Sequence, residues 1–264
     1  MTVELTVVGS INVDFVARLE RLPRPGETLS ATGFARQPGG KGANQALAAA
    51  RLGASVTLIG AVGDDELGEF ALSGLRDAGV RLEIQRRGKT GVALIYLDAA
   101  GETEIAVWPG ANALLAPREV EGAVLSQLEL PDEVVAAAAA RASFFALNAA
   151  PARPLPVEPD LLVVNELEHE LVRSGKLVAV TYGAQGAVLS EGGVELARAR
   201  APEVVAVDGT GAGDAFTACL VVSLLEGRGY AEALQRACEA GAASAASLGA
   251  QDAPAAPEGV GAWR

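Results

Sequence analysis

The alternation of apolar and polar positions predicts strands and helices in turn over the first part of the chain. The β-branched run LTVVGSI, residues 5–11, is typical of a buried strand, and SVTLIGAVG, residues 55–63, predicts a second one. Residues 42–54 have helical periodicity with Gly53 as their C-terminal stop, and residues 65–80 predict another helix. This strand–helix–strand–helix order predicts right-handed βαβ units around a parallel sheet.

Residues 91–108 interrupt this rhythm. Their sequence, GVALIYLDAAGETEIAVW, is typical of two strands joined at DAAG with no helix between them. Together with residues 13–36, which contain a half-exposed strand and a PRPGET turn, they predict a small separate β-sheet that forms a lid on the main domain. We expect one face of the lid to cover the substrate site and the other, equally apolar, to be an association surface. The first face carries Val92, Leu94 and Tyr96, and the second carries Ala93, Ile95 and Leu97.

The remainder of the chain returns to alternating elements. Residues 133–143 predict a helix, the segments FFALN, DLLVVN and LVAVTYG predict strands, and residues 213–227 and 230–250 predict two closing helices. No internal repeat is present, so we expect residues 1–264 to form a single α/β domain with the lid as its appendage.

Composition narrows the function classes. The net charge of -12 argues against a nucleic-acid backbone or an anionic membrane as the partner. No apolar run reaches the ~20 residues that span a bilayer, and the first residues predict a strand rather than a secretion signal, so we expect a cytoplasmic protein. Cys219 and Cys238 fall in apolar helical stretches and are expected to be buried free thiols, and His169 is the only histidine, which disfavours a structural metal site.

A carboxylate follows a glycine-rich turn in AVDGTGAGDAF, residues 206–216. A helix beginning there would present free N–H groups and a partial positive charge, which either Asp214 caps or an external anion occupies. The turn matches neither the P-loop nor the dinucleotide-binding fingerprint. An anion-binding helix N-terminus beside a carboxylate suits phosphoryl transfer to an alcohol, with Asp214 taking the hydroxyl proton.

Other polar residues also follow predicted strands, where open α/β sheets bind their ligands. Asn12 and Asp14 follow the first strand, and Asn165 and Glu168 follow LLVV. The segment PGGKGAN, residues 38–44, offers bare backbone amides and a cation, and by itself it fits a ligand-binding loop and a tight capped turn equally well. Structural alternatives stay open for single residues: a turn cap for Asp14, a solvated surface side chain for Lys41 and for Glu129.

Several motifs, in order from the first strand to GAQDAP near the C-terminus, resemble the PfkB carbohydrate kinase family. They are GSINVD, PGETL, GGKGANQALAAARLGA, GAVGDDELGE, TGVALIYLDAAGE, PGAN, SQLELP, LNAAPAR, VVNELE and DGTGAGDAF. The GGKGAN and GAGD stretches are the most diagnostic of these. The resemblance implies a three-layer α/β/α domain with a mostly parallel central sheet plus the small β-sheet lid.

The resemblance also implies roles for individual residues. Asp214 would be the general base, and the amides of Gly211, Ala212 and Gly213 would form the anion hole. The expected sugar ligands are Asn12, Asp14, Gly40, Lys41, Asn44 and Glu129. The expected nucleotide-contacting residues are Asn165, Thr181, Gly183 and Gly186. Glu168 would help to position Mg²⁺, and Asp208 and Thr210 resemble the start of a monovalent-cation loop.

The implied reaction is the ATP-dependent phosphorylation of D-ribose at its 5-hydroxyl, with Mg²⁺ and possible activation by K⁺, in a homodimer paired through the lid. Alternatives are a nucleoside or other sugar kinase of the same family, and a non-catalytic sugar or nucleotide sensor. The segment between Asn165 and Thr181 is shorter than is usual in the family, where an additional helix and strand would fit. We therefore expect part of the sheet to be exposed or shortened there.

Overall fold

A nine-stranded sheet forms the centre of the computed structural model, which describes residues 2–99, 103–247 and 249–251. The strands are β1 (Glu4–Val8), β4 (Ser55–Val62), β5 (Arg81–Arg86), β8 (Gly122–Gln127), β9 (Ala142–Asn148), β10 (Leu161–Asn165), β11 (Leu177–Thr181), β12 (Ala187–Glu191) and β13 (Val194–Ala199). Their order is β13-β12-β11-β10-β9-β8-β1-β4-β5. All neighbours from β5 to β11 are parallel, while β12 and β13 continue the sheet as an antiparallel hairpin.

A second sheet of four strands lies apart from the first, in the order β3-β2-β6-β7. We call it the small sheet; its strands are β2 (Asn12–Arg18), β3 (Gly33–Gly39), β6 (Gly91–Leu97) and β7 (Thr103–Trp108). β2 pairs with β6 in parallel, and both outer pairs are antiparallel. The DAAG segment predicted to join β6 to β7 lies partly outside the described residues.

Helices cover the two faces of the central sheet and make three layers. They are α1 (Lys41–Arg51), α2 (Glu66–Asp77), α3 (Asp132–Ala139), α4 (Glu166–Leu171), α5 (Ala212–Leu225) and α6 (Tyr230–Ala245). Side chains of α1, α2, α5 and α6 share one apolar core with one face of the sheet, and Val134 and Val135 of α3 belong to a second core on the other face. The predicted α/β fold class is confirmed.

The local sequence explains where α2 and α1 begin. Asp65 accepts the N–H of Gly68 at 2.9 Å and caps α2, as an aspartate at that position is expected to do. α1 begins after Gly40, which has φ of 90° and whose missing Cβ would lie 2.7 Å from the backbone nitrogen of Asn12. Only glycine fits this left-handed turn against β2, which brings the start of α1 up to the small sheet.

α4, in the short region after β10, leaves apolar side chains exposed, whereas residues 161–164 of β10 and 178–180 of β11 are buried, so the expected exposure of the sheet is not seen at these two strands. α4 buries none of its residues, and Leu167 and Leu171 are 73% and 75% exposed. Val194 of the terminal hairpin is also exposed. Among the described residues, no helix is both long and apolar enough to cross a membrane.

Candidate active site

Asp214 lies in the first turn of α5 and is buried, with 7% of its surface exposed. α5 begins after Gly211, whose φ of 81° turns the chain into the helix. The two carboxylate oxygens each accept an amide N–H: Oδ2 from Asn44 Nδ2 and Oδ1 from Gln45 Nε2, both at 2.9 Å. Asp214 is therefore a fixed acceptor, and it does not cap its own helix.

A cavity of about 910 Å³ opens in front of Asp214. It lies between the carboxyl ends of the central strands and the small sheet, where an open α/β sheet is expected to bind ligands. Most of the residues predicted from the sequence line it: Asn12, Asp14, Gly40, Lys41, Asn44, Glu129, Asn165, Glu168, Thr181, Asp208, Thr210, Gly211, Gly213 and Asp214.

Three predicted residues are not among the described residues that line the cavity: Ala212, Gly183 and Gly186. The N–H of Ala212 donates to the carbonyl of Gly209 at 3.3 Å, so it turns back into its own loop rather than toward an anion. Gly183 and Gly186 lie in the tight turn between β11 and β12, where Tyr182 N–H donates to the Gly186 carbonyl at 2.8 Å. Positive φ values of 56° and 101° account for glycine at both positions without a ligand.

Asp14 carries the strongest electrostatic perturbation in the cavity. Its burial, followed by the charges of Glu129 and Asp214, raises the pKa of this carboxyl from 3.8 to about 7, although Lys41 acts in the opposite direction. A buried carboxyl with a pKa near neutrality, in a cleft with other carboxylates, is a candidate binding or catalytic group. An aspartate that only caps a turn would be expected to be exposed to solvent.

Lys41 is the cation of this site. Burial would lower the pKa of its ammonium group, but the surrounding carboxylates outweigh that effect and raise the pKa above its usual value. These carboxylates are, from the largest effect down, Asp214, Glu129, Glu168 and Asp14. Lys41 is therefore charged and positioned to offset a negatively charged ligand or the carboxylates themselves.

Glu129 and Asn12 are also held in place. Glu129 accepts a hydrogen bond from the Ser10 hydroxyl and, at 3.4 Å, from the backbone N–H of Lys41. Asn12 Oδ1 accepts from Asn112 Nδ2 at 2.8 Å, and Asn112 is itself fixed by the backbone of Ile11. These bonds link the turn after β8, the start of α1 and the start of the small sheet around one end of the cavity.

Asn165 and Glu168 form a capping box at the start of α4. Asn165 Oδ1 accepts the N–H of Glu168 at 2.7 Å, and Glu168 Oε2 accepts the N–H of Asn165 at 2.8 Å. Burial raises the pKa of Glu168, and the Asn165 N–H and Lys41 oppose that shift. The motif thus has a local structural role, and it also places a half-buried carboxylate on the cavity wall.

Asp208 fastens the loop before α5 to the C-terminal part of the chain. Its Oδ1 accepts the N–H of Thr210 at 2.9 Å, and its Oδ2 accepts the N–H of Gly249 at 3.1 Å. The described residues contain no cluster of three or more histidine, cysteine, aspartate or glutamate side chains suited to a metal ion. A cation here would have to take its further ligands from backbone oxygens, water or substrate.

The prediction of which face of the small sheet covers the cavity was wrong. Ala93, Ile95 and Leu97 are buried and line the cavity, whereas Leu94 and Tyr96 are 47% and 39% exposed on the opposite face. The register explains the difference, because Asp14 of β2 is paired with Ala93 of β6 and both side chains therefore point to the same face.

Sequence reasoning missed a set of buried amides behind Asp214. Gln45, Gln127 and Asn148 connect to it by hydrogen bonds, and Gln251 Nε2 donates to Asn44 Oδ1 at 3.0 Å. The available signal was a polar residue inside an apolar run, as in AVLSQLEL and FFALN, since such residues are buried only when they have partners.

The chain is similar to known carbohydrate kinases over almost its whole length. The profile of the pfkB family carbohydrate kinases matches residues 3–149 and 130–257. A ribokinase from Bacillus subtilis is 40% identical over 94% of both chains. The solved ribokinase from Thermotoga maritima superposes with a TM-score of 0.82 at 29% identity, covering 97% of this chain and 96% of that one. The Arabidopsis thaliana ribokinase complexed with ribose and ATP superposes with a TM-score of 0.81 at 30% identity, covering 97% and 96%.

The chain therefore belongs to the PfkB family of carbohydrate kinases. Its fold is the ribokinase-like α/β fold, and as a member of this family it is a carbohydrate kinase.

Proposed function

We propose that this kinase transfers the γ-phosphoryl group of ATP to the 5-hydroxyl of D-ribose. The observation that carries the proposal is the buried carboxylate of Asp214 at the N-terminus of α5, facing a cavity whose other polar groups suit a polyol. Several ribokinases are 32–40% identical to the chain over at least 92% of its length, which supports ribose as the acceptor.

In the proposed reaction, the oxygen of the sugar hydroxyl attacks the γ-phosphorus of ATP, and Asp214 takes the proton of that hydroxyl. The bond between the γ-phosphorus and the β-phosphate oxygen breaks, and ADP leaves with that oxygen. The N–H groups of Gly211 and Gly213, at the positive end of α5, stabilise the charge that develops on the transferred group. Asp14, Asn12 and Glu129 hold the sugar hydroxyls.

Asn165 and Thr181 also line the cavity, and we assign them to the nucleotide side. The donor set fits Mg²⁺, because this ion is usually held by one or two carboxylates together with phosphates and water rather than by a protein cage. Glu168 would hold it through water, and the bound ion would neutralise phosphate charge. We further propose that Asp208 and Thr210 contribute to a monovalent-cation site that supports the loop before α5.

A second acceptor class, nucleosides, has one observation in its favour. The wall formed by Ala93, Ile95 and Leu97 is aliphatic, and such a surface could pack against a base as well as against the carbon face of a sugar. The non-catalytic alternative has less support, because Asp214 and its hydrogen-bond partners are in place.

The deciding experiment measures ADP release with ATP and a panel of pentoses, hexoses and nucleosides. Ribose should have the highest kcat/KM, and Asp214→Asn should lower kcat by roughly 10²–10⁴-fold or more. Asparagine keeps the size of the side chain and one of its two acceptors, so it can still accept an N–H group from either Asn44 or Gln45, and we expect the folded state to persist. A preferred nucleoside would replace ribose as the acceptor, and near-normal turnover by Asp214→Asn would exclude Asp214 as the base.

A further inference from the structure

Gln45 lies on α1 next to Asn44, and it is fully buried. Its Nε2 donates to Asp214 Oδ1 at 2.9 Å and to Asn148 Oδ1 at 3.1 Å, while its Oε1 accepts from Gln127 Nε2 at 2.6 Å. Unlike Asn44 and Asn148, it is not among the described residues that line the cavity. It therefore contacts the candidate base from behind.

The orientation of the Gln45 amide follows from a backbone group. Asn148 Nδ2 donates to the carbonyl of Val163 at 3.2 Å, and a carbonyl can only accept. This fixes Asn148 with its Oδ1 toward Gln45, so Gln45 must present Nε2 there and not Oε1. Gln127 Nε2 donates to Gln45 Oε1 at 2.6 Å and is compatible with this orientation, but Gln127 Oε1 has no described partner, so the orientation of Gln45 follows from Asn148.

The orientation of the Gln45 amide determines which group faces Asp214. A glutamine amide facing it with the wrong end would place two acceptors together, whereas the observed orientation gives Oδ1 a donor. Asn44 supplies the donor to Oδ2, so the plane of the carboxylate is fixed from two residues of one helix turn. Since β9, β8 and α1 all contribute, the orientation of Asp214 depends on the packed core rather than on its own loop.

We propose that Gln45 is a positioning residue for Asp214, a role that rests on the proposed function of Asp214 as the general base. Gln45 holds Oδ1 in place so that the carboxylate meets the sugar hydroxyl in a productive geometry. Asn148 acts through Gln45 by fixing which end of its amide faces the base. Small errors in such geometry cost up to about 10²-fold in rate.

The test compares Gln45→Met with Gln85→Met. Methionine keeps the length of the side chain and removes the amide. Gln85 is a matched control, because its Oε1 accepts the N–H of Ala116 at 3.1 Å on the edge strand β5, with no bond to Asp214. Gln45→Met should lower kcat by about 10–100-fold with the ribose KM within about twofold of the parent, and Gln85→Met should change neither.

A double-mutant cycle separates positioning from a general structural effect. In the Asp214→Asn background, Gln45→Met should lower the residual kcat by less than about twofold, because there is no base left to position. Gln45→Glu serves as a second variant that keeps the acceptor for Gln127, and it should lower kcat at least as much as Gln45→Met.

Three results would overturn the inference: an unchanged kcat in folded Gln45→Met and Gln45→Glu proteins, a raised ribose KM with normal kcat, or an equal loss with and without Asp214. The proposed function fails by a different result, which is full activity of Asp214→Asn alone. Thermal unfolding of each variant establishes that the proteins compared are folded.

Discussion

Asp14 lies buried on β2, with the charges of Glu129 and Asp214 close enough to oppose its ionisation. Its pKa of about 7 in the folded protein exceeds the ordinary value of 3.8. Between pH values of about 4 and 7, the folded protein therefore binds more protons at Asp14 than the unfolded chain does. The contribution of Asp14 to stability is present at low pH and is lost as the pH rises from about 4 through 7.

The variant Asp14→Asn removes this titration. The free energy of unfolding of the variant minus that of the parent should increase by about 2.5 kcal/mol between pH 5 and pH 8, since one pKa unit corresponds to ~1.36 kcal/mol. Urea unfolding at the two pH values, without ligands, measures this difference. Asp77→Asn is the control because Asp77 is exposed on α2, and a gain equal to that of the control would contradict the raised pKa.

Single residues show how far a sequence can predict a site. The chemistry of Asp214, Lys41 and Asp14 follows from residue type and motif, and the structure brings them to one cavity. The amides of Gln45 and Gln127 could not be predicted in the same way. Their contact depends on the packing of α1 against β8, which no local pattern contains.

At the scale of elements, the loop before α5 depends on Gly211. With φ of 81°, a Cβ at this position would lie 2.4 Å from Cβ of Ala250. The segment around Ala250 donates to Asp208 through Gly249 and to Asn44 through Gln251, so displacing it disturbs two supports of the site.

We expect Gly211→Ala to destabilise the protein by at least about 1–2 kcal/mol, the cost of a left-handed non-glycine residue, and to lower kcat about tenfold or more. Gly229→Ala is the control, because Gly229 has an ordinary φ of -64°, is not among the described residues that line the cavity, and a Cβ added there would have no described atom beyond its chain neighbours within 4 Å. Thermal unfolding and steady-state kinetics give the two readouts. Equal behaviour of both variants would show that the close approach to Ala250 does not matter.

Elements with strong periodicity were predictable, and several short strands were not, among them the central strand β8. The predicted helix over residues 65–80 is α2, Glu66–Asp77, and the predicted helix over residues 133–143 ends at Ala139 because β9 begins at Ala142. Short strands such as β5 and the β12–β13 hairpin escaped prediction. They are half exposed, so neither a continuous apolar run nor a long alternation marks them, although the Gly192–Gly193 turn was a usable signal.

At the scale of the whole molecule, the small sheet has an apolar face turned away from the cavity. Phe34 is 70%, Trp108 55% and Leu94 47% exposed on this side. Which face covers the site was not predictable from alternation alone, because a period of two defines two faces but the register with β2 decides between them. An exposed apolar sheet face of this kind is an association surface or an aggregation hazard.

We propose that two copies of the chain pair through this outer face in a homodimer with two-fold symmetry. Leu94→Lys should then give monomers and raise the ribose KM, because each small sheet loses the partner that braces it over the cavity. Ile95, which the sequence pattern placed on the association face, is unsuitable for this test because it faces the cavity. Leu171→Lys on α4 makes the same change at a residue that is 75% exposed elsewhere, and it should leave the dimer intact. Light scattering at micromolar concentration measures both variants, and a fully active parent protein that is monomeric there would refute the dimer.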